Sequence, residues 1–85
     1  MKIIVLDGRK MTDRETVHTY LKRKLELPEY YGSNLDALYD CLTEMENLEI
    51  QVKMPDETTP YFERIIRVLK GAQMASDTIV LKILE

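Results

Sequence analysis

Leu48–Met54 reads LEIQVKM, and its reading decides the fold. Leu48, Ile50, Val52 and Met54 alternate with Glu49, Gln51 and Lys53, the period-two pattern of a strand with one buried face. The segments on either side carry helical spacing instead. A strand standing between helices points to crossover connections and a parallel sheet.

Downstream, Pro55–Thr59 reads as a loop, and Thr59-Pro60 supplies an N-cap and first-turn proline for a helix. Phe62, Ile65, Ile66 and Leu69 form its buried stripe. Two endings stay open, one at Gly71 and one at Ala75. Thr78–Leu84, TIVLKIL, is a strongly β-prone final strand.

Upstream, Gly32-Ser33 opens a second helix, with the Ser33 hydroxyl expected to cap it and Asp36 three residues on. At about 100° per residue, Asp36, Asp40 and Glu44 share one side with Thr43, while Leu35, Leu38, Leu42 and Met45 share the other. Tyr39 lies on the border, and Cys41 at the edge of the apolar side. Earlier, Thr12-Asp13-Arg14-Glu15 has capping-box spacing, which makes Thr12 the expected cap of the first helix. Val17, Leu21 and Leu25, with Tyr20 beside them, give its apolar stripe, and Pro28 is expected to stop it. Lys2–Leu6, KIIVL, reads as a buried strand closed by Asp7-Gly8, taken as turn chemistry alone. The order β-α-α-β-α-β, with right-handed crossovers, predicts an α/β fold: a small three-stranded parallel sheet flanked by about three to four helices. Residues 1–85 are expected to form a single domain.

Apolar residues make up 45 % of the 85, enough for one modest core and too many for a disordered chain. No apolar run approaches the roughly 20 residues of a membrane span. MKIIVLDGRK holds too short an apolar run for a secretory leader, so a cytoplasmic protein with no membrane partner is expected. With one cysteine, Cys41, and one histidine, His18, neither an internal disulfide nor a metal centre is expected. No cofactor motif is present. Net charge is −3, which weighs against direct nucleic-acid binding. The charge is unevenly placed. Between Lys24 and Lys53 there is no Lys or Arg, while Glu26, Glu29, Asp36, Asp40, Glu44, Glu46 and Glu49 fall in that window. The segment before it is basic. An outward acidic face would attract a basic partner.

The candidates for catalysis have plainer roles. Ser33 stands where a cap is wanted, His18 suits a structural or surface position, and Cys41 faces the core side as an inert thiol. There is no glycine-rich phosphate loop and no triad, so an enzyme is not expected. An acyl-carrier protein shares the length, the acidity and the Gly-Ser helix start, but it is a helical bundle, and KIIVL and TIVLKIL argue for strands. The front of the second helix remains as a binding surface. Tyr30, Tyr31 and Tyr39 lie beside it, and tyrosine gives large contact area at low entropy cost. Packing at the core edge is the competing role for Tyr31 or Tyr39.

LPEYYGSNLDALYDCL, Leu27–Leu42, closely resembles the signature of the barstar family, intracellular inhibitors of the ribonuclease barnase. The likeness runs forward through VLDG and His18, over about the first half of the chain, and returns in the final strand. It implies a small parallel sheet flanked by helices and a second helix that plugs a ribonuclease active site. By position it implicates Tyr30, Tyr31, Gly32, Asn34, Asp36, Tyr39, Asp40 and Thr43, with Asp40 as the central carboxylate; the acidic front adds Glu44. The implied partner is a secreted or intracellular barnase-type ribonuclease. The alternative is a barstar-fold interaction or regulatory module for another basic partner. The chain departs from the family pattern at Tyr39, where tryptophan is usual, and at Met45, where another aromatic is expected. The stretch from Val52 to Asp77 is shorter, which implies a reduced helix, and Lys70 falls where the family has an acidic contact.

Overall fold

The computed structural model describes residues 1–84. Strands β1 (Lys2–Asp7), β2 (Leu48–Lys53) and β3 (Ile79–Leu84) form one parallel sheet in the order β1-β2-β3. Helices α1 (Arg14–Lys24) and α2 (Leu35–Thr43) connect β1 to β2, and α3 (Pro60–Ala75) connects β2 to β3. This is the α/β architecture expected from the order of elements. The central strand is LEIQVK, paired on both sides: Ile50 lies between Ile4 and Leu81, and Val52 between Leu6 and Ile83.

Two crossovers of one hand, stepping in one direction across the sheet, place their helices on the same face. The burial pattern follows. Ile4, Leu6, Leu48, Ile50, Val52 and Ile79 point into the core with Val17, Leu21, Leu38, Leu42, Phe62, Ile65 and Leu69 from the helices. The alternate residues point the other way, and Ile3 is 58 % exposed. On that face Glu49 of the central strand accepts a hydrogen bond from Gln51 at 2.5 Å and pairs with Lys82 at 3.4 Å. Met54, expected on the buried side of the strand, lies past its end and is exposed, because β2 stops at Lys53.

The helix caps correct two expectations. Asp13, not Thr12, caps α1: its Oδ2 accepts from the Thr16 amide at 3.2 Å. A carboxylate there also meets the positive end of the helix dipole. Thr12 instead offers its carbonyl to the Thr59 hydroxyl at 2.9 Å, which ties the start of α1 to the start of α3. Asn34, not Ser33, caps α2: its Oδ1 accepts from the Ala37 amide at 2.7 Å. Ser33 takes a left-handed conformation, φ 53°, in the turn before it. Thr59 caps α3 as expected, accepting from the Phe62 amide at 3.1 Å.

Helix α1 ends before Pro28 has any say. Glu26 adopts φ 54°, and the Leu27 amide reaches back to the Lys22 carbonyl at 2.9 Å, a Schellman turn that buries Leu27. Helix α3 runs through Gly71 to Ala75, so the longer of its two possible endings is the real one. Gly8 is more than turn chemistry. A Cβ there would collide with the Lys53 carbonyl oxygen and sit 2.7 Å from Pro55 Cδ. Glycine lets the turn after β1 press against the end of β2.

A candidate partner-binding face

The approach to α2 is anchored from beneath. Tyr31 is 7 % exposed, and its hydroxyl lies 2.5 Å from His18 Nδ1. His18 Nε2 lies 2.6 Å from the Tyr61 hydroxyl in the first turn of α3. The single histidine is therefore structural, a buried strut joining α1, the loop and α3. Burial lowers its pKa, with the Arg14 charge acting in the same direction. Burial also pushes the Tyr31 phenol well up, with Tyr61 and then Cys41 adding to the rise, so it stays a neutral hydrogen-bonding group.

Above this anchor the loop is open. Tyr30 is 81 % exposed, and Gly32 and Asn34 are exposed beside it. Asn34 does double duty, capping α2 and donating to the Gly32 carbonyl at 3.3 Å, so one side chain sets both the loop and the helix start. Helix α2 buries Leu38 and Leu42 and turns Asp36, Asp40 and Thr43 to solvent, with Glu44 exposed at its C-cap. Tyr39 is 38 % exposed and packs beside Gly71 of α3, where a Cβ would meet its ring at an ordinary contact distance of 3.5 Å. The implicated residues thus form one surface, except that Tyr31 supports it from below.

This surface is electrostatically uncomfortable for the free protein. Asp36 and Asp40 repel at i, i+4, and Asp40 and Glu44 lie toward the negative end of the helix, whose last turn has no basic residue. Among the described residues the ion pairs are Lys2–Glu26, Arg9–Asp7, Lys22–Glu29 and Lys82–Glu49, so none of the three acids is neutralised by a close cation. The Cys41 thiol, half-buried on the same helix, records the field: burial raises its pKa, and Glu44 and Asp40 raise it further. Among the described residues there is also no cluster of His, Cys, Asp and Glu able to hold a metal ion.

The face thus combines exposed carboxylates and tyrosine on one helix over a three-stranded parallel sheet. The sequence model of the family described as Barstar (barnase inhibitor) matches residues 1–84. The chain belongs to the barstar family. It is also 50 % identical over 79 residues to a Bacillus subtilis (strain 168) protein named "Putative ribonuclease inhibitor YrdF", covering 86 % of this chain and 87 % of that one.

This barstar-family face has a feature that the linear sequence hides. The window Lys24–Lys53 lacks cations, but folding brings arginines of α1 and α3 alongside α2. One hollow is lined by Arg14 and Arg64 together with Asn34 and Asp36. The next is lined by Arg67 and Val68 of α3 and by Asp36, Tyr39 and Asp40 of α2. The two share Leu35 and Asp36, and both lie along the groove where α2 meets α3. The i, i+3 spacing of Arg64 and Arg67 was visible, but only the packing of α3 on α2 shows what they stand beside.

Proposed function

We propose that this protein inhibits a basic ribonuclease by laying α2 and the Tyr30-Tyr31-Gly32 loop over its active site. The observation that carries this reading is the row Asp36, Asp40 and Glu44, exposed and in no ion pair among the described residues, on a helix whose other side is packed into the core through Leu38 and Leu42. A ribonuclease cleft is built from cations that hold phosphate. A fixed carboxylate can take the phosphate's place and accept charge-assisted, bidentate bonds from arginine. Asp40, central in the row, is assigned this role, and its neighbours speed capture of the enzyme. Tyr30 supplies apolar contact ahead of the row and Tyr39 along its flank beside α3, while Asn34 and Tyr31 hold the loop in shape. The self-repulsion of the free helix is then relieved on binding.

The test is the activity of a barnase-type ribonuclease titrated with this protein at low and moderate salt. A sharp one-to-one loss of activity, weaker at higher salt, supports the reading. Asp40→Ala should raise the inhibition constant by a factor of about 100 or more, the cost of leaving buried cations of the enzyme unpaired. Inhibition by Asp40→Ala equal to wild type would strip Asp40 of the central role.

A further inference from the structure

The acidic ridge of α2 is one bank of the α2–α3 groove, and the other bank is cationic. Arg64 and Arg67 are exposed on α3, line the same hollows as Asp36 and Asp40, and make no ion pair among the described residues. Two rows of opposite sign lie side by side, and neither closes on the other. Packed helices stand about 8–10 Å apart, comparable to the Debye length of about 8 Å at physiological salt, so the two rows still feel each other's field. An enzyme that sets cations against Asp36 and Asp40 therefore also exposes that part of its surface to the field of Arg64 and Arg67. A cleft cationic across its whole width is attracted by one bank and repelled by the other.

We infer that Arg64 and Arg67 are specificity-determining residues of this face, and that the ribonuclease it takes carries a carboxylate patch beside its basic cleft, on the side that meets α3. This deepens the inhibitor reading above and rests on it. Charge placement of this kind selects between similar partners by repelling the wrong one. The arginine bank admits a ribonuclease with a two-signed rim and turns away one that is basic throughout.

The experiment uses barnase as the probe and measures its inhibition by four proteins: wild type, Arg64→Glu/Arg67→Glu, Asp40→Ala, and the triple variant. Both arginines are exposed, so the double variant should still fold and melt cooperatively, with a midpoint lowered only modestly by the added acids beside Asp36 and Asp40. Reversing the bank makes the whole face acidic, and it should tighten inhibition of barnase by about tenfold or more. Asp40→Ala should weaken inhibition in both backgrounds. If Asp40→Ala weakens inhibition but the double reversal changes it by less than about twofold, or weakens it, the arginine assignment is overturned and the inhibitor reading stands. If no version inhibits barnase, or Asp40→Ala has no effect in either background, the assignment of α2 as the inhibitory element fails and the arginine assignment falls with it.

Discussion

Asp40, assigned the central role in the proposed complex, sits where its charge costs the free protein stability. It stands in the last turn of α2, four residues from both Asp36 and Glu44. Removing its charge relieves two like-charge pairs and an unfavourable dipole contact, so Asp40→Ala should stabilise the free protein by about 0.5 kcal/mol, read as a higher urea midpoint. A lower midpoint would show that the carboxylate helps the fold. His18 presents the opposite case. It is buried and bonded to two tyrosines, so His18→Ala should cost about 2–4 kcal/mol in the same melt, through a cavity and two stranded hydroxyls. Its lowered pKa also sets a pH dependence. The folded protein binds the proton less readily than the unfolded chain. The stability His18 contributes is therefore complete above the unfolded pKa near 6.5 and is lost as pH falls through the lower folded value. Stability should rise as pH climbs from below the lowered His18 pKa through about 6.5 in wild type, and His18→Gln should flatten that rise. An unchanged slope in His18→Gln would assign it to another group.

At the scale of elements, the cap of α2 also shapes the loop before it. Asn34 holds both the start of α2 and the Gly32 carbonyl. Asn34→Ala should cost about 1 kcal/mol of stability, and Asn34→Ser should recover most of it. The helices and strands were legible as elements because each one's apolar period was complete: Leu38 and Leu42 on α2, Phe62, Ile65 and Leu69 on α3, Leu48, Ile50 and Val52 on β2. Their ends were less legible. Thr12 and Ser33 are good caps by type, but Asp13 and Asn34 follow them directly and are as good or better, and one residue of backbone geometry decides between them. The end of α3 depended on a glycine. Gly71 looks like a stop in one dimension and is a packing site for Tyr39 in three.

At the scale of the molecule, the single-faced sheet sets where substitution is tolerated. Ile3 and Ile4 are adjacent and chemically identical, yet one meets solvent and the other the core. Ile3→Thr should change stability by less than about 0.5 kcal/mol. Ile4→Ala should cost about 2–4 kcal/mol in the same denaturant series. Equal costs would mean that the outer face of the sheet is covered in solution.

The candidate face was half legible. The acidic row and its tyrosines are local, set by i, i+4 spacing on a single helix, and the sequence by itself determined them along with the order of elements and the sense of the sheet. The roles of the three tyrosines were not local: Tyr31 became an anchor because His18 and Tyr61 arrive from two other elements. The charge of the face was not local either. A stretch without a single cation acquires arginines on its flank because α3 packs against α2, and charge acts through space over about 10 Å regardless of sequence distance. Periodicity along the chain settles which way each side chain points; only packing between elements decides what it points at.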